Sequence, residues 1–146
     1  MENKIIMNQL QSEFGSKVEV VEELNEVVAR VGSDDLVKIG QALKSESFNF
    51  LTNLTAVDYP EEFTLVYNFR STEHDGKLTI KTSIEKENPE IETLVTLWKS
   101  ADWQEREVFD LFGIKFKGHP NLKRILLPDN FEGYPLRKDF EVKPQR

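Results

Sequence analysis

Glu105, Arg106, Glu107 and Asp110 fall within six positions and form the densest set of chemically capable groups in this 146-residue chain. Paired carboxylates can act as general acid and base. No glycine loop that would shape a pocket and no adjacent histidine supports that use. The spacing points elsewhere. Glu105, Phe109 and Phe112 follow i, i+4, i+7, which puts a carboxylate on an apolar helical stripe, and that is costly unless the charge is paired. Arg106 and Asp110 are i, i+4 neighbours. The favoured reading is an ion network at a covered surface, with Arg106 paired to Glu105, to Asp110 or to a carboxylate of another protein.

The remaining reactive groups are scattered. His119 stands between Gly118 and Pro120. Catalysis or metal binding would need partners, and only carboxylates are at hand, so a hydrogen bond to a backbone carbonyl or an interface role is expected. His74 falls in a polar turn. Arg137, Lys138 and Asp139 follow Pro135 and suit interface pairing better than an anion site. Gly133 reads as a turn residue before Tyr134. No phosphate-binding loop, dinucleotide fingerprint or hydrolase triad occurs.

The chain contains no cysteine. Disulfides, thiolate zinc sites and protein-ligated iron–sulfur clusters are thereby excluded. No D-x-D-x-D-G loop suggests calcium. Any redox cofactor is expected in other chains, and neither a catalytic nor a metal site is expected here. The net charge of −7 argues against nucleic acid as a partner. That charge is uneven: residues 1–104 carry −9 and residues 105–146 carry +2. No apolar run is long enough to span a membrane, and the polar N-terminus does not resemble a secretory signal.

These groups must be positioned by recognisable elements. Ile5, Ile6, Leu10 and Phe14 have helical spacing up to Gly15. Lys17–Val21 and Val27–Val31 read as a hairpin. Ser33 is expected to cap a helix whose inner face carries Leu36, Ile39 and Leu43. Strands follow over Phe48–Tyr59, Phe63–Phe69 and Leu78–Ile84, the last two joined by a turn at residues 73–76. Pro89 is expected to open a helix over Ile91–Lys99. Asp102 and Glu105 have capping-box spacing and predict a further helix ended by Gly113. Beyond Gly113, Pro120, Pro128 and Pro135 argue against regular structure. The fold class is therefore α+β, with helices packed on one face of a mainly antiparallel sheet, followed by an extended C-terminal strap. Residues 1–114 form the domain, and residues 115–146 form an interaction tail that is not an independent domain.

The residues Glu105-Arg106-Glu107-Val108-Phe109-Asp110-Leu111-Phe112-Gly113-Ile114, then Phe116, Gly118-His119-Pro120, Leu122 and Arg124-Ile125-Leu126, resemble the signature of the 30 kDa (C) subunit family of NADH-quinone oxidoreductase, respiratory complex I. Gly133-Tyr134-Pro135-Leu136-Arg137-Lys138-Asp139-Phe140 resembles the family's closing motif. Leu54–Tyr59, Val66-Tyr67 and Leu97-Trp98 fit its upstream pattern. Asn121 and Lys123 depart from it, where Asp and Arg are common.

The resemblance implies a non-catalytic structural member of the peripheral arm of a proton-translocating enzyme. It would scaffold the complex I B and D subunits, which carry a cluster and the quinone site respectively, with the I subunit a further candidate neighbour. It would sit on the cytoplasmic side of the cell membrane without inserting into it. Iron–sulfur clusters, flavin and quinone would belong to partner subunits, with quinone touched only indirectly. The interface residues it implies are Glu105, Arg106, Asp110, Phe112, His119, Pro120, Arg124, Tyr134, Pro135, Arg137, Lys138, Asp139 and Phe140. The alternatives are the equivalent component of a coenzyme F420, ferredoxin or photosynthetic-type dehydrogenase or of a membrane-bound [NiFe] hydrogenase, and, from a different class, a stand-alone α+β enzyme using Glu105 or Glu107.

Overall fold

Strands with apolar residues at alternate positions can bury one face only, and helices must cover it. The computed structural model describes residues 8, 11–15, 18–23, 26–73, 76–128 and 130–138, and it follows this rule. Residues 11–14 are helical (α1). The order continues β1 (Val18–Glu23), β2 (Glu26–Val31), a 3-10 turn (Ser33–Asp35), α2 (Leu36–Ser45), β3 (Phe50–Asp58), β4 (Glu62–Arg70), β5 (Lys77–Glu85), β6 (Glu90–Glu92), α3 (Ala101–Phe112) and β7 (Lys115–Lys117). His74 and most of the expected N-terminal helix, Ile5, Ile6 and Leu10 included, lie outside the described residues, as do Asp139 and Phe140.

The main sheet runs β1-β2-β5-β4-β3. Every neighbouring pair is antiparallel except β2 with β5. Phe63, Leu65, Tyr67 and Phe69 of β4 and Leu78, Ile80 and Ile84 of β5 are buried in one core with Leu36, Ile39 and Leu43 of α2 and Val108 and Phe112 of α3. The register explains the alternation: Tyr67 pairs with Ile80 and Leu54, and all three point the same way. A shift between Leu51 and Asn53 breaks the β3 ladder. The Leu51 carbonyl accepts from the Ser100 hydroxyl at 3.0 Å and the Gln104 amide at 2.9 Å, which ties β3 to the start of α3.

Three local expectations fail for physical reasons. Ile91–Lys99 is not a helix: Glu90–Glu92 form β6, and residues 95–97 and 99–100 are turns. Ile91 is buried there, and β6 finds a parallel partner in β7. That partner is itself the second correction, because regular structure does not stop at Gly113. Ile114 and Phe116 are buried and carry the chain through one more strand. Third, Ser33 makes no side-chain cap, and the helix proper follows a 3-10 turn.

Candidate subunit interface

Helix α3 brings the chemically capable residues together, but not as a catalytic set. It begins at Ala101 without a side-chain cap, so Asp102 and Glu105 do not form the expected capping box. Glu105 is fully buried instead. Its carboxyl accepts from the Thr93 hydroxyl and, at 2.8 Å, from the Leu94 amide. Burial pushes its pKa up from 4.5 to about 7, the two hydrogen bonds oppose the rise, and Asp102 adds to it. The Tyr67 phenol, wholly buried, is raised well above 10 by burial and by Glu105.

Asp110 faces another way and is also fully buried. One oxygen accepts three consecutive amides, Ile125 at 3.1 Å, Leu126 at 2.7 Å and Leu127 at 3.0 Å. The other lies 3.4 Å from the Arg124 guanidinium. A prolyl segment has few ladder partners for its donors, and one carboxylate gathers three of them here.

Arg106 bonds to neither Glu105 nor Asp110, which leaves a carboxylate of another protein as the remaining alternative of the three. It is 9% exposed. Its Nε donates to the Lys123 carbonyl at 3.4 Å, and its guanidinium lies over the Trp103 ring at 4.8 Å. The contact at position 123 is to backbone, so Lys there in place of Arg does not alter it.

Past β7 the strap returns along α3 and is fastened by stacked cations and rings. Arg124 lies 5.6 Å from the Phe131 ring and 5.0 Å from the Tyr134 ring. Arg137 lies 4.9 Å from Tyr134 and 5.2 Å from Phe63 of β4. Lys86 stands 5.2 Å from the Phe63 ring and pairs with Asp58. Hydrogen bonds parallel this ladder. Arg124 donates to the Gly133 carbonyl at 2.9 Å, and Arg137 Nε donates to the Phe112 carbonyl at 2.6 Å. The Leu136 amide donates to the Leu111 carbonyl at 3.0 Å.

Asp58 closes the system, accepting the Lys138 amide at 2.8 Å. Burial favours its neutral form, but the bonds from Lys86 and the Lys138 amide outweigh that and hold its carboxyl below the usual value. Gly113 makes the close approach possible. Its φ is +77°, and a Cβ there would fall 2.6 Å from the Tyr134 ring.

The site residues named from the sequence therefore divide into two groups. Asp110, Phe112, Arg124, Tyr134, Arg137 and Lys138 meet near the C-terminal end of α3, with Pro135 half-buried beside them. His119 and exposed Pro120 lie near its N-terminal end, ten residues or about 15 Å away along the axis. His119 Nε2 is 3.0 Å from the Asp102 carboxylate and 3.3 Å from the Asp102 carbonyl, while Nδ1 accepts the Asn121 amide at 3.0 Å. Glu105 belongs to the core. Asp58, Phe63 and Lys86 are participants the sequence did not single out. The sign available was one buried-type Asp ending an alternating strand beside Tyr59-Pro60. Among the described residues no group of three or more His, Asp or Glu is placed to hold a metal ion.

The class of protein defined by this sheet and strap is confirmed by comparison. Residues 29–146 match the family model described as "Respiratory-chain NADH dehydrogenase, 30 Kd subunit", and the chain belongs to that family. It is 44% identical over 131 residues to the NADH-quinone oxidoreductase C subunit of Moorella thermoacetica, covering 88% of each protein. It is 40% identical over 147 residues to the corresponding C subunit of Geotalea uraniireducens, covering 97% of this chain and 90% of that one. Among solved structures, the trypsin-resistant fragment of Nqo5 aligns with a TM-score of 0.74 at 26% identity, over 84% of this chain and all of that one. A chain of the membrane-bound sulfane sulfur reductase, an archaeal respiratory membrane complex, aligns with a TM-score of 0.84 at 28% identity, over 97% of this chain and 87% of that one.

Proposed function

We propose that this chain is a non-catalytic scaffold in the peripheral arm of a proton-translocating NADH-quinone oxidoreductase. It joins the cluster-bearing B subunit to the D subunit of the quinone site, with the I subunit a further neighbour. The observation that carries this is the use to which α3 puts its charged groups. Asp110 spends its carboxylate on three strap amides and Glu105 spends its own on Thr93 and Leu94. Both carboxylates are fully buried and turned to the fold. The chain has no cysteine with which to bind a cluster. Clusters, flavin and quinone belong, on this reading, to the partner subunits.

Residues 115–146 serve as the interaction segment, with Lys115–Lys117 anchoring it as β7. The complex lies at the cytoplasmic face of the membrane and this subunit is peripheral to it. No helix among the described residues is long and apolar enough to cross a membrane. The likeness to a chain of the sulfane sulfur reductase complex supports a second reading, the equivalent component of a respiratory complex with another electron donor, such as a coenzyme F420, ferredoxin or hydrogenase system.

The test is affinity purification of the tagged chain from its own cells with identification of the associated subunits. Recovery of B- and D-type subunits, with quinone reduction by the assembly and none by the isolated chain, supports the scaffold. Turnover by the isolated chain would restore the stand-alone enzyme. Recovery without NADH-oxidising subunits would select the second reading.

A further inference from the structure

Arg106 has donors that the fold does not use. A guanidinium offers five N–H groups and keeps its charge at any ordinary pH. Here Nε makes one long bond, to the Lys123 carbonyl at 3.4 Å. Among the described residues Nη1 and Nη2 have no hydrogen-bond partner and no carboxylate lies within ion-pair distance, although the residue is only 9% exposed. Neither nitrogen is sealed from solvent, so both donors stand open for a ligand to complete.

Its surroundings indicate what does. Trp103, one turn earlier on α3, is 60% exposed, and the Arg106 guanidinium lies 4.8 Å from its ring. The ring contact uses none of the guanidinium's N–H donors, and the planar fork they form matches the two oxygens of a carboxylate. Tryptophan and arginine are among the residue types enriched where the energy of a protein–protein contact is concentrated.

We infer that Trp103 and Arg106 form a receptor for an acidic segment of a partner subunit, in which an Asp or Glu carboxylate takes the Arg106 fork and a neighbouring apolar side chain covers the Trp103 ring. The net charge of −7 disfavours polyanions such as nucleic acid or an anionic lipid surface, whereas a single carboxylate suits a single fork. This rests on the scaffold reading and gives that reading one specific contact.

The experiment uses the assembled complex and two variants. Trp103→Ala removes an exposed ring, and Arg106→Lys keeps the charge but loses the fork. Trp103→Ala should retain the wild-type melting temperature of the isolated chain within the spread expected of a surface change, and Arg106→Lys, at a position only 9% exposed, should lower it modestly while leaving the chain folded at the assay temperature. Each should weaken retention in the complex by about tenfold or more, the ordinary cost of truncating such an anchor. Hydroxyl-radical footprinting should show Trp103 oxidised readily in the isolated chain and protected in the complex. If the wild-type chain assembles, both variants assemble equally well and Trp103 stays reactive, the receptor is refuted while the scaffold stands. If the wild-type chain fails to assemble at all, the scaffold reading itself falls. Trp103-dependent binding to phosphatidylglycerol vesicles, with retention in the complex unchanged, would also overturn the inference.

Discussion

The sheet–helix body and the strap that crosses it are held by different physics. The body is assembled from alternating apolar residues, and among the described residues ten of the eleven largest fully buried side chains are hydrocarbon or phenyl groups, the other being Tyr67. Such a core is non-directional and tolerates changes that preserve volume. The strap contributes few buried side chains and exposes Leu126 and Leu136 by half or more. It is located instead by Asp110, Asp58 and a series of cations between rings. Directional contacts fix one geometry and are lost together when a central member goes. A surface intended for partners gains from that arrangement, because apolar groups stay available while the backbone beneath them is set.

The sharpest way to break the comparison is Asp110→Ala. It removes the acceptor for three amides and the partner of Arg124. Loss of one member of a buried charged network costs about 3–5 kcal/mol. The cost should be local: denaturant unfolding should shift, and proteolysis should open the strap at residues 124–138 first. An unchanged digestion pattern would show that the rings alone suffice.

Glu105→Gln sharpens the contrast from the body's side. The native carboxyl titrates at about 7 and an ordinary one at 4.5, so the folded chain keeps a proton there that the unfolded chain releases. Glu105 thus favours folding fully below about pH 4.5 and progressively less as pH rises through 7. At about 1.4 kcal/mol for each pH unit the loss is on the order of 3 kcal/mol. The amide variant should lack this decline and gain on the native chain between pH 5 and 8. Asp58, held low by Lys86 and Lys138, has the opposite sign: its contribution is present above its unfolded value of 3.8 and fades only as pH falls through the lower folded value. Parallel pH–stability curves for the native and Glu105→Gln proteins would remove this assignment.

A smaller effect is expected from Gly113→Ala. The residue would be forced to hold a φ of +77° with its Cβ against the Tyr134 ring. Strain of this kind costs about 1–3 kcal/mol, and the Tyr134–Arg137 stacking should loosen with it. Thermal unfolding compared with Gly15→Ala, which has positive φ but open space around its Cβ, separates the clash from the backbone penalty.

What could be read from the sequence follows the same division. Strong periodicity located α2, α3 and the three long strands, because burial on one face writes itself into every second or every third and fourth residue. The strap's course was legible only as a rhythm of prolines, since carboxylate-to-amide contacts across 15 to 17 residues leave no local pattern. The short strands β6 and β7 were missed because three residues carry no period. Their pairing depends on Ile91 and Phe116 meeting across 25 positions. Glu105 was placed correctly on an apolar stripe, but its partner proved to be Thr93 and a backbone amide rather than Arg106, a choice set by tertiary packing.

Hydrogen exchange at the Ile125, Leu126 and Leu127 amides of the isolated chain tests most directly whether the strap is built into the body before any partner arrives. The account predicts protection at all three in the native chain. In Asp110→Ala that protection should be lost at all three while the amides of β4 and β5 stay protected. Exchange at the rate of an open peptide in the native chain would contradict it, and would mean that the strap takes its course only when a partner imposes it.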